Sequence, residues 1–296
     1  MTTGCLLISH GTVDDLADLP AFLRNIRRGH EAPPELVAEV TRRYEAIGGR
    51  SPLNAISTTL AERVGAALGV PTRYAGRLWK PDAREVVREM VAAGVDHLVV
   101  VPLAQFSAKI YVEHVQNACK DLPGLTIVGA ENWGLTEGIL GAFGRAIEAA
   151  RVAAGDPYVL MTAHSLPKFI VDQGDPYEKE VRAAAAALAE KLALPRWGVS
   201  FQSQGMSTGP GGRPVAWLGP DLRAALKELR EAGERAVVLA PIGFLADHVE
   251  ILYDLDLEAQ GWSKDLGISL SRIASLNASD DMVDAIARVA RPLLAR

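Results

Sequence analysis

Three carboxylates late in the chain are spaced so that they could act together on a cation. Glu250, Asp254 and Glu258 are four residues apart, and on an α-helix each such step turns about 400°, so the side chains form one slowly drifting row. A π-type widening of the helix would bring them closer into line. Such oxygen donors suit hard or borderline divalent cations. A solvated acidic stripe has the same pattern, so a cation site and a solvated face are both open at this point.

A histidine at the end of a predicted strand is the second candidate. His164 follows the apolar run Tyr158–Ala163 and precedes Ser165-Leu166-Pro167. A neutral imidazole beside a carboxylate can bind a metal ion or accept a proton, although a lone histidine is more often structural. The residues therefore indicate metal or proton chemistry and do not name a substrate.

Short apolar runs alternate with longer amphipathic stretches along the chain. Runs that are apolar throughout predict strands buried on both faces, and their alternation with helices is typical of an α/β fold with mostly parallel sheets. The predicted strands are Gly4–Ser9, Thr72–Ala75, His97–Pro102, Thr126–Val128, Tyr158–Ala163, Gly198–Gln202 and Ala236–Pro241. The predicted helices are Glu35–Ala46, Ile56–Leu68, Ala83–Ala93, Leu135–Ala153, Pro176–Leu194, Asp221–Ala232 and Asp280–Leu294.

The order of these elements predicts two α/β domains, residues 1–154 and 155–275. A C-terminal helix within residues 276–296 is expected to pack back on the first domain. In open α/β sheets, ligands bind beyond the carboxyl ends of the strands. Polar residues follow strands in both halves, among them His10 and His164. We therefore expect a cleft between the two domains to hold the site.

Composition excludes several classes of function. The 296 residues include 31 Lys and Arg against 36 Asp and Glu, a net charge of −5, which is unsuited to nucleic acid. Cys5 and Cys119 are far apart and too few for a four-thiolate iron–sulfur cluster. The sequence lacks the dinucleotide and P-loop motifs. Ser165 is not interpreted as a nucleophile, because the residues around it do not form a nucleophile-elbow motif.

The N-terminus and the longest apolar runs bear on location. The first residues have no basic segment of the kind that begins a signal peptide. No apolar run approaches the roughly 20 residues needed to span a bilayer. We therefore expect a cytoplasmic protein without a transmembrane segment, and peripheral contact with a membrane stays open.

Seven short motifs occur in one order along almost the whole chain. Each of them is weakly informative alone, whereas the ordered set is highly specific. They are Ile26–Gly29, Arg43–Leu53, Ala163–Pro167, Gly174–Tyr177, Gln202–Gly205, Trp217–Asp221 and Pro241–Asp256. Together these motifs resemble the ferrochelatase family.

The resemblance implies a fold and a reaction. The fold is two Rossmann-like domains of the class II chelatase type, with a porphyrin cleft between them. The reaction is insertion of Fe²⁺ into a porphyrin with release of two protons, catalysed by a lyase of haem biosynthesis. The family's active-site histidine and its glutamate partner fall on His164 and Glu250, and its acidic path falls on Asp254 and Glu258. All four side chains are thus candidate metal ligands.

The resemblance also implies what the protein binds. Porphyrin and Fe²⁺ are substrates, and no permanently bound cofactor is expected. The acidic row could supply the iron or hold an accessory divalent cation. Other enzymes of the haem pathway are candidate partners. With two cysteines, the iron–sulfur cluster of some relatives is expected to be absent.

The residues of two motifs, Ile26–Gly29 and Arg43–Leu53, resemble those of a short bacterial branch of the family. Many members of that branch act on coproporphyrin III. That porphyrin carries four propionates against two in protoporphyrin IX, and guanidinium and hydroxyl groups suit carboxylates. Coproporphyrin III is therefore favoured, with protoporphyrin IX open. Surface groups at a loop and a helix end are the alternative interpretation. In that branch, propionate contacts fall on positions matching Arg27, Arg43, Tyr44, Ser51 and Tyr111.

One position departs from the branch pattern. Relatives often carry a tyrosine just before the Gly-Thr pair, where it can ligate iron on the face opposite the histidine, whereas this chain has His10 before Gly11 and Thr12. Imidazole is also a capable iron ligand, with a different reach and charge. A structural histidine at a strand exit is equally open.

Two further functions compete with this interpretation. A cobalt or sirohydrochlorin chelatase of the same class is suggested by the opening Ile8–Gly11. A non-catalytic tetrapyrrole-binding protein would bind porphyrin and leave it metal-free. Metal insertion tested on several tetrapyrroles separates the three.

Overall fold

The protein divides into two compact units, each with its own parallel sheet. The computed structural model describes residues 2–155, 157–205 and 214–295. The first unit comprises Met1–Trp133, Leu245–Val249 and Asn277–Arg296, and the second comprises Gly134–Phe244 and Glu250–Leu276. Both units therefore draw on separate stretches of the sequence.

The first unit is built on a four-stranded parallel sheet in the order β2-β1-β3-β4. In its centre, Ile8 of β1 is paired with Ala75 on one side and Pro102 on the other. The strands are β1 (Thr3–Ser9), β2 (Thr72–Gly76), β3 (His97–Pro102) and β4 (Thr126–Gly129). The helices of this unit are α1 (Leu19–Ile26), α2 (Pro34–Ala46), α3 (Leu53–Leu68), α4 (Ala83–Ala92), α5 (Ala108–Ala118) and α11 (Asp280–Leu294).

The second unit repeats the plan with the order β6-β5-β7-β8, again all parallel. Its strands are β5 (Tyr158–His164), β6 (Trp197–Gln202), β7 (Ala236–Ala240) and β8 (Ser269–Arg272). Its helices are α6 (Glu137–Ala154), α7 (Lys168–Asp172), α8 (Tyr177–Lys191), α9 (Leu222–Glu231) and α10 (Gln260–Leu266). A π-helix, Glu250–Ala259, runs directly into α10.

Local chemistry explains where several helices begin and end. The Asp82 carboxylate accepts the backbone N–H groups of Arg84 and Glu85, which caps α4. Asp221 caps α9 in the same way. At the other end, α3 and α6 stop at Gly69 and Gly155, whose left-handed backbone suits a residue without a Cβ. The helices thus end where the sequence supplies capping residues.

Burial follows from the apolar character of the strands. Every residue of β3 is buried, and so are the middle residues of β1, β5 and β7. Helices cover both faces of such a sheet, which is why these strands are apolar on consecutive residues. The predicted α/β class with parallel sheets is confirmed.

The sequence patterns located seven of the eight strands in the described residues to within one residue and missed β8. β8 is short and alternates polar with apolar residues. The helices α1, α5, α7 and α10 were not predicted either, and α1, α7 and α10 are short, with eight, five and seven residues. The seven helices that the sequence predicts begin and end within three residues of the helices in the structure.

Two helices bear on where one unit ends and the other begins. α6 packs against β7 and α8, so the structure places the boundary after Trp133, whereas the sequence-based boundary followed Ala154. The reason is that α6 covers the second sheet. α11 packs against α3 and β3 of the first unit. None of the helices in the described residues is long and apolar enough to cross a bilayer.

Candidate active site

The imidazole and the carboxylate predicted to work together are neighbours in the second unit. His164 is the last residue of β5, and Glu250 is the first of the π-helix. Nε2 of His164 lies 3.5 Å from Oε1 of Glu250, and each side chain is about one-third exposed. This separation is within ion-pair range and longer than a well-formed hydrogen bond. The pair therefore has room to admit a proton or an ion.

The second ring nitrogen of His164 settles which nitrogen is available. Nδ1 lies 2.5 Å from the carbonyl oxygen of Ser165. A carbonyl can only accept, so Nδ1 must carry the hydrogen and donate it. In the neutral ring, the lone pair is then on Nε2, the nitrogen that faces Glu250. This arrangement gives the site one nitrogen able to accept a proton or ligate a metal.

Opposing effects act on the charge of this imidazole. Burial lowers the pKa of His164, while the charge and contact of Glu250 raise it. The Ser165 carbonyl and the charge of Asp254 raise the pKa further, and the net result is a pKa above the ordinary histidine value. Carboxylates that stabilise an imidazolium thus make Nε2 a stronger proton acceptor.

Close backbone packing holds the end of β5 in place. A Cβ on Gly243 would lie 2.6 Å from Cβ of Ala163 and 2.7 Å from its Cα, so only glycine fits there. The Gly243 N–H donates to the carbonyl of Thr162 at 3.0 Å. The hydroxyl of Tyr177 donates to the His164 carbonyl at 3.0 Å. The histidine backbone is therefore held from two sides.

The acidic row lies on a helix with widened turns. The π-helix buries Ile251 and Leu255 completely and leaves Glu258 partly exposed. π-turns are rare and recur at functional sites. On its opposite side Asp256 makes a two-pronged ion pair with Arg272 of β8, at 2.7 and 2.8 Å. That pair ties the helix to the sheet and fixes the direction in which the row faces.

Asp254 differs from its two neighbours in the row because it is buried. It is 5 % exposed, and it accepts a hydrogen bond from the hydroxyl of Ser203. Ser203 follows β6 and has a φ of 59°. Sequence reasoning quoted Ser203 only within a motif and did not select it. Its position directly after a strand was the available signal.

The row is not gathered into one metal centre. Within the described ranges, no three His, Cys, Asp or Glu side chains are close enough to hold a metal ion together. The structure thus brings together His164 and Glu250 as a pair of donors. It does not bring Asp254 and Glu258 into a single four-ligand centre with them, because the helix spaces successive carboxylates one turn apart.

Comparison with known proteins identifies the family. The family model described as ferrochelatase matches residues 2–293 of the chain. The chain belongs to the ferrochelatase family.

Curated relatives agree over nearly the full length. A ferrochelatase from Acidobacterium capsulatum is 36% identical over 313 residues, covering 98% of this chain and 94% of its own. A ferrochelatase from Thermus thermophilus is also 36% identical, over 95% of this chain and 96% of its own. A protein named coproporphyrin III ferrochelatase 1, from Bacillus cereus, is 31% identical and covers 97% of this chain and 96% of its own.

Solved structures bear on the fold alone. The sirohydrochlorin chelatase SirB from Bacillus subtilis, solved with Fe³⁺, superposes with a TM-score of 0.64 at 16% identity, covering all of this chain and 96% of its own. CbiX, described as the terminal enzyme for siroheme biosynthesis in denitrifying bacteria, has a TM-score of 0.58 at 14% identity, with 98% of each chain covered. The fold of this chain is thus similar to that of these two proteins.

The remaining residues selected from the ferrochelatase resemblance lie in the first unit. His10 follows β1, is exposed, and packs edge-on to Phe22 with 6.1 Å between ring centres. Arg27 donates from Nε to the carbonyl of Glu31 at 3.3 Å. Arg43 contacts Glu39 at 2.8 Å with about a third of its side chain exposed. Their substrate roles stay predictions.

Glu39 is held charged by its arginine neighbours. Hydrogen bonds from Arg42 and Arg43 lower the pKa of Glu39 to about 2, against a weak opposing effect of burial. Both arginines therefore already share one carboxylate. A propionate at Arg43 would have to compete with Glu39 or bind beside it.

The three hydroxyl candidates are more buried than a surface contact would be. Tyr44 is 2 % exposed and its hydroxyl lies 2.7 Å from that of Thr12. Ser51 accepts the backbone N–H of Leu53 at 3.3 Å. The ring of Tyr111 lies 5.5 Å from the guanidinium of Arg77. These groups make internal contacts, and their contact with substrate also stays a prediction.

Proposed function

We propose that this protein is a ferrochelatase that inserts Fe²⁺ into a porphyrin and releases two protons, as a step of haem biosynthesis. The observation that supports this most directly is the His164–Glu250 pair, in which Nε2 faces a carboxylate at 3.5 Å. Family membership along the whole chain supports the reaction class.

The reaction needs a group that accepts protons from the porphyrin. A free-base porphyrin carries two pyrrole N–H groups, and both protons must leave before the nitrogens can hold a metal. Nε2 of His164 has the lone pair, because Nδ1 donates to Ser165, and Glu250 stabilises the imidazolium that forms. We assign the first proton acceptance to His164 and the stabilising charge to Glu250.

The incoming ion needs a route along which water can be replaced. Glu250, Asp254 and Glu258 present oxygen donors at successive turns of the π-helix. We propose that this row conducts the substrate Fe²⁺ or holds an accessory divalent cation near the pair. Carboxylates on successive helix turns hold an ion with few ligands at a time and so bind it weakly enough to release it. Weak binding suits transport of the ion better than storage.

Coproporphyrin III is the proposed porphyrin. Arg27 and Arg43 are partly exposed cations, and guanidinium groups bind carboxylates with two parallel hydrogen bonds. A porphyrin with four propionates gains more from such residues than one with two. Relatives named for coproporphyrin III are 31% identical to this chain, which supports the same choice.

An anaerobic insertion assay tests the proposal. The full chain is incubated with Fe²⁺ and either coproporphyrin III or protoporphyrin IX, and with Co²⁺ and sirohydrochlorin, while the absorbance of each free tetrapyrrole is followed. We expect the fastest insertion with Fe²⁺ and coproporphyrin III. Porphyrin binding without metallation would refute an enzymatic role, and preference for sirohydrochlorin would refute the proposed substrate. His164→Ala serves as the inactive control.

A further inference from the structure

We propose that Ser203 is a positioning residue that holds the Asp254 carboxylate for the passage of a divalent cation. This inference rests on the proposed function, because it assigns the acidic row a cation. It concerns a residue whose hydroxyl bonds to Asp254 and that is not among the residues assigned above to proton transfer or porphyrin binding. The juxtaposition that supports it is a strand-exit hydroxyl bonded to a buried acid on the π-helix.

The hydroxyl is aimed at the acid by an unusual backbone conformation. Ser203 has a φ of 59°, which lies in a backbone region that residues other than glycine adopt infrequently. Directly before it, β6 ends at Gln202. Oγ of Ser203 donates to Oδ2 of Asp254. A chain that continued extended would carry this side chain elsewhere, so the turn and the hydrogen bond belong together.

Gln202, the residue directly before Ser203, is fastened to the strand that carries the imidazole. Gln202 is paired with His164 in the register of β5 and β6, and the Ser165 N–H donates to the Gln202 carbonyl at 2.7 Å. Thr162 donates from its hydroxyl to the Gln202 amide oxygen at 2.6 Å. Ser203 therefore joins the histidine strand to the second carboxylate of the row.

The chemistry of this bond explains its use. A serine hydroxyl has one hydrogen to donate, and an ionised carboxylate is its strong acceptor. The bond to Oδ2 restricts the rotation of the Asp254 carboxylate. Without the hydroxyl, the carboxylate loses this constraint, and the ion meets a less well oriented Asp254. The effect falls on the metal and leaves porphyrin binding alone.

Three variants test this role in the full chain. Ser203→Ala removes the hydroxyl and keeps the strained backbone, whereas Ser203→Gly removes both the hydroxyl and the strain. Ser200→Ala is the matched control, because Ser200 is a fully buried serine of the same strand whose hydroxyl has no partner among the described residues. Ordinary folding of each variant is checked by circular dichroism and thermal melting.

Both Ser203 variants should weaken the binding of the metal ion and leave porphyrin binding unchanged. We expect the KM for Fe²⁺ to rise about ten- to a hundredfold, the size expected for losing a hydrogen bond to a charged group, with the KM for porphyrin unchanged. Ser200→Ala should leave both values unchanged. An effect of Ser203→Gly alone would assign the role to the backbone turn and overturn the proposal, as would equal rises in both KM values.

A direct titration separates this inference from the proposed function. Co²⁺ is titrated into the porphyrin-free protein and followed by its absorption and by calorimetry. Weaker Co²⁺ binding in the Ser203 variants supports the positioning role even if the wild type inserts no metal. In the Asp254→Asn background, Ser203→Gly should add nothing further, because its partner charge is already lost. An additive loss would show that Ser203 acts on another group and would refute the proposal.

Discussion

The sharpest structural prediction concerns Gly243, which lies against the strand that ends in His164. A Cβ introduced by Gly243→Ala would lie 2.6 Å from Cβ of Ala163. Ordinary carbon contacts are about 3.5–4.0 Å, so the two chain segments must separate by about 1 Å. Because Ala163 directly precedes His164, part of that movement has to reach the imidazole.

Two quantities follow from this displacement. Overpacking a well-filled interior costs about 1–3 kcal/mol of unfolding free energy. A 1 Å displacement of a reacting group lowers a rate by about 10²-fold. We therefore expect Gly243→Ala to fold, to melt a few degrees lower, and to lose most of its kcat. The assays are thermal melting and anaerobic Fe²⁺ insertion.

The chain offers a matched control for the same substitution. Gly261 lies in α10, and a Cβ there would meet no atom within 4 Å. Gly261→Ala should keep full activity and gain up to about 1 kcal/mol, since alanine is the better helix former. Wild-type kcat in Gly243→Ala would refute the reasoning. So would a loss of stability without a loss of kcat, because it would show that the strain relaxes away from His164.

Four further predictions concern the pair and the substrate. Glu250→Gln should lower the pKa of His164, because the charge that favours the imidazolium is lost while burial still opposes the charged ring. The acidic limb of the pH profile of kcat/KM should then move to lower pH. An unmoved limb would show that another group titrates there. In the wild type, the same raised pKa stabilises the fold at low pH, and this contribution disappears as pH rises through that pKa, which urea unfolding at several pH values would measure. His164→Ala should abolish insertion while the fold is kept, because about a third of the side chain is exposed and the residue ends a strand; retained turnover would remove it from the mechanism. Arg43→Ala should raise the KM for coproporphyrin III more than that for protoporphyrin IX, whereas equal rises would indicate a shared propionate or a structural role.

Buried strands were predictable because their chemistry is local. The side chains in the continuous apolar runs of β3 and β5 point to both faces of the strand, so they can all be buried only in a sheet that is covered on both faces. β8 escaped prediction because its four residues, SLSR, have no continuous apolar run. It becomes a strand by pairing with β7, a contact that no short sequence window contains.

The site was predictable in its chemistry and only partly in its arrangement. The spacing of Glu250, Asp254 and Glu258 indicated one helical row, and the structure adds that the turns are widened and that the middle acid is buried. Ser203 was not selected, because its role depends on a positive φ and on an acid distant in the sequence. Neither feature leaves a signal in a single sequence.

What the sequence alone determined was the alternation of strands and helices, the family, and the kinds of donor available, since these depend on residue type and local spacing. Tertiary structure alone decided that Glu250 faces Nε2 of His164 and that the Ser165 carbonyl takes the hydrogen of Nδ1. It also decided that Ser203 reaches Asp254. The physical reason is that a hydrogen bond needs an angle and a distance between groups on different elements, and only the packed sheet and π-helix supply both.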